Sequence, residues 1–411
     1  MNKKEYNQKS LHTPLPIVDP YGALSMPVYN ALAYEYESAE AMELAFTGRS
    51  NGYVYSRISN PTVVFFEERV KAITGAHSVT ALNSGMAAIS NTLLTLAKAG
   101  SNIVTTRHLF GNTYSLLAST LSEFGVETRF IDLTDTSALE TSMDENTVAV
   151  FLEIISNPQM EVVDIRQLAT RAHSRGIPVV ADTTLIPFCA FDAASHGIDI
   201  DVVSSTKYIS GGATSLGGII LDYGRFDWQQ SPKLSKLAEE QGNNAFTFRL
   251  KKEIHRNLGS YMTPQVAYLQ ALGLETMELR YLQSSATAAA LAHRLLVTKG
   301  VQCVSYIGLP ENHYFEIGKR QFGENPGSML TFDLASQAAC FQFLNRLKTI
   351  RRATNLFDNK TLAIHPYTTI YGNFSPEAKK AMHVHDTTIR LSVGLENEET
   401  LMADILQALN D

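Results

Sequence analysis

The chain has 411 residues, 45% of them hydrophobic, with a formal net charge of −7. That is long enough for a large buried core and two domains. A mildly acidic chain with no basic block points away from nucleic acid and anionic membranes, and toward small molecules and copies of itself.

The start, MNKKEYNQKS, is basic but leads into no apolar stretch. No signal peptide is expected, no apolar run is long enough to span a bilayer, and the expected location is the cytoplasm. Residues 1–60 are turn-rich and aromatic, and they read as an arm lying on something else, such as another subunit. The segments HSVTALNSG, SNIVTT, VETRFID, NTVAVFLEII, GIPVVADTT and DIDVVSST then follow as near-continuous apolar strands. Such runs are the signature of parallel strands buried on both faces. Amphipathic stretches such as MAAISNTLLTLAKAG and DIRQLATRAHSRG alternate with them. The pattern predicts an α/β fold, a mostly parallel sheet flanked by helices and built from right-handed crossovers. SLGGIILDYG leaves no room for a crossover helix and is expected to return antiparallel. A polar, helical texture over 230–280 marks the passage from a domain at 61–255 into a smaller α/β domain at 256–411. Cys189, Cys303 and Cys340 are widely separated, so neither a disulfide framework nor a zinc site is suggested, and no metal is expected.

Ligands of open α/β sheets bind at the carboxyl ends of the strands. There the chain places Ser84-Gly85-Met86 at the start of a helix, Asn157 and Pro158 beyond Glu153, Asp182 after an apolar strand, and Lys207 behind Ser204, Ser205 and Thr206. Gly85 and Met86 offer backbone N–H groups at a helix N-terminus, which suits a phosphate, although the same turn serves as an ordinary cap. A carboxylate at the end of an apolar strand is costly unless paired. Asp182 and Lys207 are 25 residues apart, one crossover helix plus a strand, so they project from neighbouring strands into one crevice. A structural ion pair accounts for the two charges. Pyridoxal phosphate also accounts for the small hydroxyl residues before the lysine and the glycines after it, which leave space for a flat ring.

The segments YSRISNPT (55–62), NSGMAAIS (83–90), FGNTY (110–114), SNPQMEVVDI (156–165), VVADTT (179–184), SSTKYISGG (204–212) and IRLSVGLE (389–396) resemble the cysteine and methionine metabolism family of pyridoxal-phosphate enzymes. The likeness runs in order from about residue 20 to the C-terminus. It implies the fold-type I architecture, a seven-stranded, mostly parallel sheet with a smaller C-terminal domain. It also implies that Lys207 carries the cofactor, Asp182 partners the pyridinium nitrogen, and Gly85, Met86, Ser204 and Thr206 hold the phosphate. Asn157 would contact the ring hydroxyl, and Arg390, with Asn355, the substrate. Tyr55 and Arg57 match residues that reach the phosphate of a neighbouring subunit, implying a dimer at minimum and a homotetramer as the usual assembly.

One departure stands out. Where most of the family stacks a tyrosine on the ring, this chain has Phe110, which lacks the phenol that protonates a poor leaving group. Acetate needs no such help, so an activated ester is favoured; Tyr114, one helical turn on, is the other candidate acid. GGATSLGG, YGRFDW and Lys360 in DNKTLAIHP resemble the subgroup acting on O-acetyl-L-homoserine with sulfide or a small thiol. The implied reaction is γ-replacement, giving homocysteine or methionine plus acetate. The alternatives are γ-elimination from methionine or homocysteine, then cystathionine γ-synthesis.

Overall fold

The computed structural model describes residues 3–324 and 326–410; positions 1, 2 and 411, at the ends of the expected arm and C-terminal domain, lie outside the described residues. Seven strands form the larger sheet: β1 (Ser78–Leu82), β2 (Asn102–Thr105), β3 (Glu127–Phe130), β4 (Thr147–Glu153), β5 (Val179–Asp182), β6 (Ile200–Val203) and β7 (Gly218–Asp222). Their order is β1-β7-β6-β5-β4-β2-β3. Only β7 runs against its neighbours, antiparallel to both β1 and β6. The antiparallel return predicted for SLGGIILDYG is therefore present, and the short loop between β6 and β7 is the one that carries Lys207.

The apolar runs become strands because both faces are covered. Along β4, Val150 and Leu152 enter one core and Val148, Ala149 and Phe151 the other. Burial of each of the larger ones, Val148, Val150, Phe151 and Leu152, stabilises the sheet by roughly 1.5–3 kcal/mol. Helix Pro61–Thr74 packs in the first core, capped by the Asn60 side chain, begun by Pro61 and ended by Gly75 at φ 70°. Helix Gly85–Leu96 packs in the second, with Ser84 as its cap.

A smaller sheet contains β8 (Cys303–Ser305), β9 (Met329–Asp333), β10 (Arg351–Arg352), β11 (Leu362–Ile364) and β12 (Thr388–Ser392), in the order β10-β11-β12-β9-β8. Helix Pro264–Leu296 joins the two parts. Its Ala267, Ala271, Leu274 and Met277 belong to the core of the larger sheet, and its Ala288, Leu291, Ala292 and Leu295 to that of the smaller. The expected passage at 255/256 thus falls just before a helix that both cores share. Within the arm, helix Lys3–His12 is anchored by Tyr6, whose hydroxyl donates to Leu274 O at 2.6 Å. Val18, Tyr21 and Leu24 are by contrast at least 95% exposed.

Candidate active site

Strands β4, β5 and β6 are parallel neighbours, so their carboxyl ends open on one edge, with Glu153 beside Asp182 and Asp182 beside Val202 in register. Lys207 follows β6 by four residues, and its Nζ donates to Asn355 Oδ1 at 2.9 Å. Burial pulls the Lys207 amine down to about 8, the Arg390 cation adds to the fall, and Asp182 opposes it. The Asp182 carboxyl is pushed up by burial, against hydrogen bonds from Thr184, whose N–H donates at 2.9 Å, and against the Lys207 charge. Asp182 and Lys207 therefore act on one another across a single crevice.

Arg390 lies in β12, 2% exposed. Its Nη1 donates to Asn157 Oδ1 at 3.2 Å, and its Nη2 to the Thr354 and Asn355 carbonyls at 3.2 and 3.4 Å. Its Nε is buried without a hydrogen-bond partner, and no carboxylate pairs with it among the described residues. Burial lowers its pKa to about 9, which leaves it cationic at neutral pH. A buried guanidinium satisfied only by neutral oxygens is a strong site for a carboxylate.

Glu153 is the residue whose importance the sequence did not convey. Its Oε1 accepts from the Phe110 backbone N–H at 2.7 Å, and its Oε2 is buried without a partner. Burial, and then the neighbouring Asp182 charge, push its pKa well above the ordinary 4.5, against the backbone hydrogen bonds from Phe110 and Asn157. The Phe110 backbone is thus tied to the floor of the crevice. The Tyr371 hydroxyl closes the same wall by donating to the carbonyls of Leu109 and Asn157, at 2.8 and 2.9 Å.

The Ser84-Gly85-Met86 turn sits against the segment before Lys207. A Cβ on Gly85 would come 2.6 Å from Ser204 Cβ, and one on Gly218 would come 2.0 Å from Ser84 O, so only glycine permits this approach. The Ser204 N–H donates to Thr184 Oγ1 at 2.8 Å. The helix N–H groups at Gly85 and Met86 and the dipole behind them form a cradle of the kind that takes a phosphate. Thr206 Oγ1 accepts from Gly217 N at 3.0 Å and donates to Gly217 O at 3.2 Å, so its proton is already committed within the loop.

Three other residues are held by contacts of their own. Arg57 Nη1 donates to Arg256 O at 2.6 Å, and the guanidinium lies 5.5 Å from the Tyr55 ring. Tyr114 stacks on Phe130 at 5.0 Å and meets Phe374 edge-on at 5.8 Å; its hydroxyl accepts from Arg107 at 3.5 Å. A lysine with a depressed pKa, an acid across from it, a phosphate-sized cradle and an unpaired buried arginine fit pyridoxal phosphate together with an amino-acid carboxylate.

A family model described as Cys/Met metabolism PLP-dependent enzyme matches residues 11–410. A homocysteine/cysteine synthase of Saccharomyces cerevisiae is 34% identical over 411 residues, covering 93% of this chain and 92% of that one. The O-acetyl-L-homoserine sulfhydrylase 1 of Thermus thermophilus is 34% identical over 398 residues, covering 93% and 94%. Among solved structures, an O-acetylhomoserine sulfhydrylase of Wolinella succinogenes matches with a TM-score of 0.77 and 46% identity, over 86% of this chain and 99% of that one. A putative O-acetylhomoserine (thiol)-lyase of Campylobacter jejuni, solved with a pyridoxyl-lysine monophosphate, matches with a TM-score of 0.94 and 30% identity, over 99% and 100%.

Proposed function

The chain belongs to the Cys/Met metabolism PLP-dependent enzymes, and from that premise we propose that it replaces the acetate of O-acetyl-L-homoserine with sulfide or a small thiol, giving homocysteine or methionine plus acetate. The observation that carries this reading is the pair formed by Lys207, its amine lowered to about 8, and Arg390, buried without a carboxylate of its own. Relatives named homocysteine synthase and O-acetylhomoserine sulfhydrylase support it.

Lys207 would hold the cofactor, Asp182 would face its pyridinium nitrogen, and Asn157 its ring hydroxyl. Gly85, Met86, Ser204 and Thr206 would hold its phosphate, Thr206 by exchanging its bond to Gly217. Bound there, pyridoxal phosphate supplies an electron sink that stabilises negative charge at Cα and Cβ of an amino acid. Arg390 grips the substrate carboxylate, and Asn355, released from the lysine amine, is free to contact the substrate. Lys207 would take the Cα proton, give it up at C4′ of the cofactor, and only then, neutral again, take a proton from Cβ. The Cγ–O bond breaks with acetate leaving as a stable anion, and the thiol sulfur then bonds to Cγ. The protons removed return to Cβ and Cα through Lys207. Phe110, its backbone held by Glu153, would offer the ring a stacking surface and no acid, which acetate does not require.

Tyr55 and Arg57 would complete the phosphate site of a neighbouring subunit. The exposed arm residues Val18, Tyr21 and Leu24 favour such an assembly, a dimer at minimum and a homotetramer when complete. We place the reaction in the cytoplasm, where three free cysteines stay reduced; no helix among the described residues is long and apolar enough to cross a membrane.

The test is steady-state homocysteine formation from O-acetyl-L-homoserine and sulfide by the wild type and Arg390→Leu. The variant should lose at least about 100-fold in kcat/KM, the cost of a bidentate carboxylate contact of about 3 kcal/mol. Homocysteine formation at an unchanged kcat/KM would remove Arg390 from the reading, and no formation by the wild type would remove the reading itself.

A further inference from the structure

Outside the Lys207 crevice, three side chains from separate segments converge. His108 lies in the loop after β2, Glu161 follows the Asn157 loop, and His383 follows helix Pro376–Ala381. One ligand atom from each lies within 4.8 Å of the other two. His108 Nδ1 is hydrogen-bonded to Glu161 Oε2, whereas His383 Nδ1 stands 3.9 Å from Glu161 Oε1, too far for a hydrogen bond. The two imidazoles lie 4.6 Å apart at 42°, neither parallel nor edge-on. His383 holds this position at φ 53°, a left-handed conformation unusual for a residue with a Cβ.

We propose that His108, Glu161 and His383 bind one divalent cation of the zinc class, with water as the fourth ligand. Two imidazoles and one carboxylate are a donor set that zinc takes at open sites, at about 2.0–2.2 Å from each ligand atom. An ion between His383 and Glu161 would satisfy the pair that is too distant to bond directly. A neighbouring cavity of about 460 Å³, lined in part by Glu161, His383, His385 and Asp333, gives water and ion a way in. The site is distinct from the reaction proposed above and does not depend on it. Its ligands are scattered along the chain, which is why no local spacing signalled it and no metal was expected.

The placement also gives the ion a structural role. His108 is two residues before Phe110, and Glu161 is four after Asn157. Gln159 Nε2 already donates to Met382 O at 2.6 Å, next to His383. An ion here would pin the Phe110 and Asn157 loops to the segment around His383.

The holoenzyme is stripped with chelator, incubated with zinc chloride in the absence of sulfide, which would sequester the metal, and desalted; bound zinc per chain is then measured. Wild type and Cys303→Ser should retain one zinc each, and His383→Ala and Glu161→Gln none. His383 is 62% exposed, so its removal leaves the fold intact. The wild-type thermal midpoint should rise by about 3 °C at a hundredfold excess over Kd, and that of His383→Ala should not move. No zinc on the wild type, or equal zinc on wild type and His383→Ala, would overturn the proposal and leave a His108–Glu161 hydrogen bond with His383 beside it.

Discussion

Because only the neutral amine of Lys207 is a nucleophile, uptake of pyridoxal phosphate by the apoprotein should depend on pH in a way the geometry specifies. The amine falls from the ordinary 10.5 to about 8 through burial and the Arg390 cation. At pH 7 roughly one amine in eleven is then neutral, against about one in 3,000 for an unperturbed lysine, a gain of about 300-fold. The uptake rate should rise about tenfold from pH 7 to pH 9 with a midpoint near 8. In Arg390→Leu the midpoint should move upward, because a cation that disfavours a second one has gone. The sign for stability is opposite to that of a paired lysine. A lysine whose folded pKa lies below its unfolded value costs stability while the unfolded chain binds the extra proton. That cost is fully present below about pH 8 and fades as pH approaches 10.5. Apo Lys207→Met should therefore be more stable than apo wild type at pH 7, by about 3 kcal/mol, with the gap closing by pH 10. Stopped-flow absorbance of cofactor uptake and urea unfolding at several pH values read the two effects. A midpoint near 10, or a rate indifferent to pH, would refute the account of Lys207.

Phe110→Tyr should raise kcat/KM for methionine, by up to the roughly 10²–10⁴ that general-acid help provides, while changing that for O-acetyl-L-homoserine little. Equal effects on the two substrates would assign Phe110 to stacking alone. If Tyr55 and Arg57 complete a neighbour's site, mixing inactive Arg57→Ala and Lys207→Ala subunits should restore part of the activity through hybrid sites. No recovery after demonstrated subunit exchange would place both residues outside the site.

The sheet was legible in the sequence because its strands are buried on both faces and so read as unbroken apolar runs. The 25-residue spacing likewise placed Asp182 and Lys207 at the ends of neighbouring strands, β5 and β6, although the connection between them holds only the 3-10 turn Ala194–His196 where a crossover helix was expected. Contacts across long sequence separations left no local trace. Asn355 reaches Lys207 across 148 residues, and Arg390 reaches Asn157 across 233. Glu153 was visible as a polar residue within an apolar strand, but its hold on the Phe110 backbone depends on how a distant loop folds back over β4. Tyr114 has the same limitation: a one-turn spacing from Phe110 gave its position, and only packing against Phe130 and Phe374 gave its direction. The shared helix Pro264–Leu296 blurred the domain boundary because its two halves serve different cores, which composition does not distinguish.

The most direct test of γ-replacement is to identify products after incubating the holoenzyme with O-acetyl-L-homoserine plus sulfide and, separately, with methionine alone. Homocysteine and acetate should appear in equal amounts in the first incubation, and little 2-oxobutanoate, ammonia or thiol in the second. Faster release of 2-oxobutanoate and methanethiol from methionine than of homocysteine from the ester would contradict it, and would make γ-elimination the function.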